Sequence, residues 1–242
     1  MPDKLYQECR DVIRGCRAIF EDLRTAGVET LAESPVRTDD PPHQVAQSVA
    51  APVVDVERET LVDIQNDLHD CQRCGLCQQR TQVVFGVGNP DARLVLVGEA
   101  PGYQEDKQGE PFVGEAGQLL DRILFAMKLR REDVYICNLI KCRPPSNRDP
   151  QPEEIASCEV FLKRQLAVIS PELILCLGRF ATQTLLQTGA PIGKLRGRWH
   201  TYEGIPLMPT FHPAYLLRNP TGKQQVWEDV KQVMHRLQEG SE

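Results

Sequence analysis

The sequence lacks long apolar runs and has few aromatic residues. No stretch approaches the about 18 consecutive apolar residues that a transmembrane helix needs, and no basic and apolar leader opens the chain. Aromatic residues make up 6% of the 242 residues, whereas hydrophobic residues make up 41%. These proportions exclude a membrane-spanning class and predict a cytoplasmic protein with a full hydrophobic core.

The sequence also lacks the phosphate-binding motifs of nucleotide cofactors. Residues 98–102 (GEAPG) form a glycine-bracketed turn, but this turn matches neither the GxGxxG nor the Walker pattern. A nucleotide cofactor is therefore not expected. The backbone N–H groups of the turn remain candidate donors to a phosphate or to another oxygen acceptor.

Four short runs rich in Val, Ile and Leu predict buried strands at residues 92–97, 134–140, 172–177 and 205–211. Helical patterns lie between them at residues 116–129, 152–169 and 179–187. This alternation predicts an α/β fold, a three-layer α/β/α sandwich with a central, mainly parallel four-stranded sheet.

The charge is uneven along the chain. Residues 1–66 hold 13 acidic and 7 basic side chains, and residues 67–242 hold 21 of each. Apolar residues recur every three or four positions over residues 6–23, which predicts a helix, and the Pro-rich residues 26–59 predict a flexible linker. We therefore expect an N-terminal helix plus acidic linker over residues 1–66 and one domain over residues 67–242. The helix either packs on the domain or docks a partner protein.

Chemically distinctive side chains fall at or near the ends of the predicted parallel strands. These are Glu99 in the GEAPG turn, Asn138 and His212, with Phe112 in the loop after the turn. Ligands of such sheets bind outside the carboxyl ends of the strands. A ring that can stack, an amide and an imidazole predict a pocket for a small planar polar ligand, which a nucleobase fits best.

Basic residues flank the same loops. Each is either an ordinary solvated charge or a contact to a DNA phosphate. Because they cluster near one opening of the predicted pocket, the group as a whole favours phosphate contact. The candidates are Arg143, Arg148, Lys194, Arg196, Arg198 and Arg218.

Cysteine is unusually frequent, with nine residues. In a chain without a secretory leader these are not expected to form disulfides. Cys71 and Cys74 have metal-ligand spacing, and Cys142 and Cys158 complete a candidate quartet that either zinc or a [4Fe–4S] cluster would accept. Cys77 is a third nearby thiol, and its presence blurs the choice of ligands from spacing alone.

Several segments together resemble the family 4 uracil-DNA glycosylases, the iron–sulfur type of many bacteria and archaea. The segments are the CxxC of Cys71 and Cys74, RTQVVFGVGNPDARLVLVGEAPGYQED, PFVGEAGQLLDRIL, VYICNLIKCRPPSNR and FHPAYLLRNP. The resemblance implies hydrolysis of the N-glycosidic bond of deoxyuridine in single- or double-stranded DNA, with release of uracil in base excision repair. It also implies a [4Fe–4S] cluster on Cys71, Cys74, Cys142 and Cys158. We expect a monomer associated with the nucleoid, whose N-terminal helix is a candidate site for a repair or replication partner.

The resemblance assigns roles to the strand-end residues. Phe112 would stack on uracil, and Asn138 would accept from N3–H and donate to O4, which cytosine cannot match. A neutral His212 would donate to O2 as negative charge develops there. Further uracil contacts are expected from Gly98 and Ala100.

The water-activating group is not evident. Other uracil glycosylase families carry Asp where this chain has Ala100, so Glu99 and Glu105 are assigned to binding or water positioning. The missing Asp leaves a non-catalytic uracil-DNA binding protein as the alternative. Arg143, Arg148, Arg196 and Arg218 would contact DNA. Leu216 would fill the gap left in the base stack, with Tyr215 as the rival for that role.

Overall fold

The computed structural model describes residues 59–239, and a mixed sheet of six strands lies at their centre. The predicted N-terminal stripe over residues 6–23 and all but the last residue of the predicted linker lie outside the described residues. The strands, in chain order, are β1 (Val87–Gly88), β2 (Leu94–Gly98), β3 (Tyr135–Asn138), β4 (Leu173–Leu177), β5 (His200–Tyr202) and β6 (Ile205–Thr210).

The sheet has the order β1-β3-β2-β4-β6-β5. Its four inner strands are parallel, with β2 paired to both β3 and β4, and β4 paired to β6. The two edge strands run antiparallel to their neighbours. The four predicted strands are therefore confirmed as the parallel core, but the sheet has six strands rather than four. The edge strands of two and three residues are too short to give a periodic pattern.

Helices cover both faces of the sheet. Within residues 59–239 they are α1 (Leu61–His69), α2 (Tyr103–Gln108), α3 (Glu115–Ala126), α4 (Pro152–Ile169), α5 (Arg179–Leu185), α6 (Ile192–Leu195), α7 (Pro213–Arg218) and α8 (Gly222–Glu239). None of these helices is long and apolar enough to cross a membrane.

Alternate residues of β2 divide the core into two layers. Val95 and Val97 join the cluster that contains the buried faces of α1, α4 and α5. Leu94 and Leu96 join the cluster that contains those of α3, α7 and α8. Successive side chains of a strand point to opposite faces of the sheet, so this division is that of a three-layer α/β/α sandwich.

Helix α1 contributes to this core although its sequence lies at the predicted domain boundary. Thr60 and Asp63 form a capping box at its start, since each side chain hydrogen-bonds the backbone N–H of the other. Ile64 and Leu68 are buried in the cluster with α4. The helix runs through residue 66, so the packed domain already includes Leu61.

Candidate active site

A crevice of about 540 Å³ opens at the carboxyl ends of the parallel strands. Each of the four inner strands brings one residue to its wall: Glu99 after β2, Asn138 at the end of β3, Gly178 after β4 and His212 after β6. The residues that the sequence placed at strand ends are thus brought together, as expected for an open α/β sheet.

Asn138 lines the crevice and has 2% of its surface exposed. Its Oδ1 atom is buried and has no hydrogen-bond partner among the described residues. Most buried polar atoms are paired, so this acceptor is available to an N–H group of a ligand. A Cβ at the neighbouring Gly98 would lie 2.3 Å from this Oδ1 and 2.6 Å from the Phe112 ring, so only glycine leaves the two side chains in place.

The Phe112 ring forms part of the wall, and its backbone is held in an uncommon conformation. Phe112 has φ of 56°, in the left-handed region. Arg131 donates hydrogen bonds to the carbonyl oxygens of Pro111 and Phe112, at 2.6 and 3.1 Å. Gly117 permits the close approach of this loop, because a Cβ there would lie 1.7 Å from the Phe112 oxygen.

Glu105 anchors the same loop from the other side. Its Oε1 accepts hydrogen bonds from the backbone N–H groups of Val113 and Gly114, at 3.0 and 2.9 Å. One of its carboxylate oxygens is therefore used in positioning Phe112. Glu105 also lines the crevice, so it is placed as the sequence analysis expected, but with a structural task that the sequence did not reveal.

His212 is oriented by its own helix. Its Nδ1 accepts a hydrogen bond from the Ala214 N–H at 3.1 Å, which places the proton of a neutral ring on Nε2. Burial lowers the pKa of His212 to about 4; the Glu105 carboxylate opposes this shift and Arg218 adds to it. The ring is therefore a neutral hydrogen-bond donor at physiological pH.

Glu99 has a shifted pKa in the same crevice. Burial raises the pKa of its carboxyl group to about 7; Asp149 adds to the increase, and the Arg179 guanidinium opposes it. Asp149 and Arg179 form an ion pair of 3.1 Å on the wall of the crevice. A carboxyl group that titrates near neutrality in a cleft is suited to handle a proton or a water molecule.

The four cysteines of the predicted quartet lie in one neighbourhood beside the sheet. The Cys142 thiol interacts electrostatically with those of Cys74 and Cys71, and the Cys158 thiol with those of Cys142 and Cys74. Within residues 59–239, no group of three His, Cys, Asp or Glu side chains is placed to hold a single metal ion. The donor set of four thiols is nevertheless of the kind that binds iron–sulfur clusters.

Two N–H groups point at these sulfur atoms. Arg80 donates from Nη1 to the Cys142 sulfur at 3.3 Å and to the Cys71 carbonyl oxygen at 2.7 Å. The backbone N–H of Lys141 donates to the Cys158 sulfur at 3.3 Å. Hydrogen bonds to ligating sulfurs are among the means by which proteins stabilise and tune such centres.

Comparison with known proteins places the chain in a family. The Uracil DNA glycosylase superfamily matches residues 85–231. A type-4 uracil-DNA glycosylase of Thermotoga maritima is 47% identical over 183 residues, which are 73% of this chain and 94% of the relative. One of Archaeoglobus fulgidus is 44% identical over 183 residues, 72% of this chain and 92% of the relative. A type-5 uracil-DNA glycosylase of Pyrobaculum aerophilum is 31% identical over 166 residues, 62% of this chain and 72% of the relative.

The chain belongs to the family 4 uracil-DNA glycosylases. The crevice bounded by Asn138, Phe112 and His212 lies within the matched residues, and so do Cys142 and Cys158. Cys71 and Cys74 precede the superfamily match. The resemblance stated from the motifs is thereby confirmed.

The predicted DNA contacts of this glycosylase are placed differently from one another. Arg218 lines the crevice and is exposed, and Arg143 directly precedes Pro144, another lining residue. Arg148 also lines the crevice, but its guanidinium is paired with the buried Glu154 at 2.6 Å and lowers the pKa of that carboxyl group. Its DNA contact would have to compete with this pair.

Two of the predicted contacts, Arg196 and Leu216, do not line the crevice. The Arg196 guanidinium is largely buried against the fully buried Asp229, with Nε 3.0 Å from Oδ2, and does not line the crevice. Leu216 is 1% exposed and packs in the core between α3 and α8. The neighbouring Tyr215 is 41% exposed and lines the crevice. Tyr215 therefore replaces Leu216 as the candidate that enters the base stack.

Several residues of the site were not found from the sequence. Gly178, with φ of 96°, approaches His212 so closely that a Cβ would lie 2.8 Å from the histidine Cβ. Arg131, Gly117 and the pair of Asp149 with Arg179 act on site residues through contacts between distant segments. The glycines carried a local signal, since each lies beside a turn or a helix start, but no pattern in the sequence links the charged residues to the crevice.

Proposed function

We propose that this chain hydrolyses the N-glycosidic bond of deoxyuridine in DNA, releasing uracil and leaving an abasic site for base excision repair. The single observation that supports this most is the crevice itself, where the unpaired Oδ1 of Asn138 and the neutral ring of His212 border the ring of Phe112. These groups are complementary to one face and two polar edges of uracil.

The target nucleotide must first leave the duplex, because its glycosidic bond is not accessible inside the stack. Flipping costs a few kcal/mol and is easiest at a mismatch or in single-stranded DNA. Within the crevice the uracil ring lies on Phe112. The Oδ1 of Asn138 accepts from N3–H and its amide donates to O4, whereas cytosine presents the reverse pattern at both positions.

Bond cleavage places negative charge on the uracil O2. The Nε2–H of His212 donates to that oxygen, and because the ring is neutral beforehand, the hydrogen bond strengthens as charge develops. The carboxylate of Glu99 borders the crevice, where it can orient a water molecule toward the sugar and stabilise the positive charge that forms there. Most of the rate then comes from electrostatic stabilisation, so the Asp that other families have at Ala100 is dispensable.

We propose that Cys71, Cys74, Cys142 and Cys158 hold a [4Fe–4S] cluster. The four thiols lie in one neighbourhood and form a donor set of the kind that iron–sulfur clusters take. The cluster, when bound, supplies a rigid connection between the segment before β1 and the loop after β3 rather than chemistry at the base. That loop continues into Pro144, Asn147 and Arg148, which line the crevice.

Uracil-containing DNA is the substrate, single- or double-stranded, and the predictions of a monomer and of a cytoplasmic, nucleoid-associated location remain proposals. The division into an N-terminal segment and a glycosylase domain also remains a proposal. A partner for the N-terminal segment is likewise a proposal. We assign no amine nucleophile for strand cleavage, and the expected product is an intact strand with an abasic site.

The test is incubation with a duplex that contains one uracil, followed by alkali and a denaturing gel. Strand breaks that need alkali and disappear in His212→Ala support the proposal, with His235→Ala, an exposed histidine on α8, as the matched control. An uncut strand that binds the protein on a native gel would instead support the non-catalytic binder.

A further inference from the structure

An exposed tyrosine beside the crevice carries two cations on its ring. Tyr103, the first residue of α2, is 48% exposed. The Lys107 ammonium lies 4.6 Å from the centroid of its ring, and the Arg143 guanidinium carbon lies 5.1 Å from it. Cation–π contacts of this kind hold a side chain in place without neutralising its charge.

Neither cation forms an ion pair with a carboxylate among the described residues. The Nε of Arg143 donates to the Oδ1 of Asn147 at 2.8 Å, which leaves its two terminal nitrogens for another acceptor. The acidic residues of α2 are already occupied. Glu105 accepts from backbone N–H groups of the Phe112 loop, and Asp106 is buried and accepts from Thr81.

Two arginines that line the crevice are already paired with carboxylates. Arg148 binds Glu154, and Arg179 binds Asp149. Two positive charges that are positioned on one ring and lack a counter-ion have a favourable site for an anion between or beside them.

Tyr103 and Arg143 adjoin the wall of the crevice along the chain. Tyr103 directly follows Gly102, and Arg143 directly precedes Pro144; both of these neighbours line the crevice. One residue step is about 3.8 Å. Arg143 is also bonded to Asn147, another lining residue. An anion bound here would therefore be close to a nucleotide whose base fills the crevice.

We propose that Tyr103, Lys107 and Arg143 bind a backbone phosphate of the DNA strand next to the flipped deoxyuridine. This inference rests on the proposed function and extends its DNA site to Tyr103 and Lys107. The guanidinium fork of Arg143 contacts the phosphate oxygens directionally, Lys107 adds a point charge, and the tyrosine ring holds both. Such a contact fixes the register of the strand but carries no sequence information. It acts alike on single-stranded and duplex DNA.

The experiment measures affinity for DNA that contains a tetrahydrofuran abasic-site analogue, at several salt concentrations. The variants are Lys107→Gln, Arg143→Gln, their double variant, Tyr103→Leu and Tyr103→Phe, with Lys231→Gln on α8 as the matched control. Each lost phosphate contact reduces the slope of log affinity against log salt by about 0.9 on duplex and about 0.7 on a single strand.

We expect the double variant to bind about tenfold more weakly, with a slope shallower by about one contact. Tyr103→Leu should change affinity and slope in the same direction, because it releases both cations, and Tyr103→Phe should match the wild type because it retains the ring. Single-turnover release of uracil by the Lys231→Gln control should match that of the wild type.

Unchanged slopes in the double variant and in Tyr103→Leu would overturn the proposal, and so would an equal loss in Lys231→Gln. Arg143 follows the candidate ligand Cys142, so iron content and melting temperature are measured for every variant. Lys107→Gln alone decides the matter if Arg143→Gln loses iron. Failure of the proposed function would look different, because the wild-type protein would then release no uracil.

Discussion

The rings of Phe112 and His212 stack on each other in the crevice, with centroids 5.5 Å apart and planes inclined by 29°. A glycine lies close to each of the two residues, Gly117 at the Phe112 carbonyl oxygen and Gly178 at the His212 Cβ. The left-handed backbone of Phe112 costs on the order of 1–3 kcal/mol. The surrounding contacts overcome this cost, so the two rings are positioned before any base arrives.

Gly117→Ala should displace Phe112. The added Cβ would meet the Phe112 carbonyl oxygen at 1.7 Å, and backbone must move to relieve that contact. We expect uracil release to fall by at least about 100-fold, since a displacement of about 1 Å has such an effect on a positioned group. The matched control is Gly193→Ala, where a Cβ has no neighbour within 4 Å. Equal activity of the two variants would show that the position of Phe112 does not matter.

Glu99→Gln should remove the dependence of kcat/KM on pH near neutrality. The pKa of Glu99 is raised to about 7 by burial, so the carboxylate forms only as pH rises through 7. We expect kcat/KM of the wild type to increase through that range. The variant should have a lower kcat/KM that does not change with pH.

The same group affects folding stability. Between pH 4.5 and 7 Glu99 binds more protons in the folded protein than in the unfolded chain, so its contribution to stability decreases as pH rises through that window.

The neighbours of Glu99 provide a second check on the same profile. Asp149→Asn removes a negative charge that raises the pKa of Glu99, and Arg179→Met removes a positive charge that lowers it. The midpoint of the kcat/KM profile should therefore move to lower pH in the first variant and to higher pH in the second. Shifts of the same sign in both would assign the titration to another group.

The fold was predictable where the signal is local. Strands β2, β3, β4 and β6 have apolar runs buried on both faces, and α4 begins at Pro152 and ends at Ile169 as the pattern indicates. The crevice followed from topology, because parallel strands bring their carboxyl ends to one edge. Roles that depend on distant partners did not follow. Arg196 pairs with Asp229, which lies 33 positions later in the chain. Leu216 is covered by α3 and α8. A local stretch of sequence does not reveal either contact.

His212 should make folding stability depend on pH. Its pKa is lowered to about 4 in the folded protein, against an ordinary value of 6.5. The unfolded chain therefore binds more protons between pH 4 and 6.5, so stability from this group is complete above 6.5 and declines as pH falls through the window. The loss is up to about 3 kcal/mol at the lower end. Urea unfolding at pH 5 and pH 7 measures it, and the difference should shrink in His212→Asn.

Arg80→Met should weaken retention of the proposed iron–sulfur cluster. The substitution removes the hydrogen bonds from the guanidinium to the Cys142 sulfur and the Cys71 carbonyl while keeping much of the apolar stem. We expect less iron per chain and faster bleaching of visible absorbance under air, with Arg80→Lys intermediate. Arg73→Met, whose guanidinium is bonded to Asp67, serves as the control. Iron content equal to the wild type in Arg80→Met would exclude this role.

Tyr215 and Leu216 should have separable effects, although they are adjacent. Leu216→Ala opens a cavity in the core and should lower the free energy of unfolding by about 2–5 kcal/mol. Tyr215→Ala should leave stability nearly unchanged, because the ring is 41% exposed and contacts Phe211 at 4.9 Å between centroids.

Only a duplex has a stack to fill after flipping, so Tyr215→Ala should slow uracil release from duplex DNA more than from single strands. The comparison variant is Leu217→Ala, 40% exposed on the same helix. A loss of activity on duplex DNA in Leu217→Ala but not in Tyr215→Ala would assign the residue that fills the base stack to Leu217 instead.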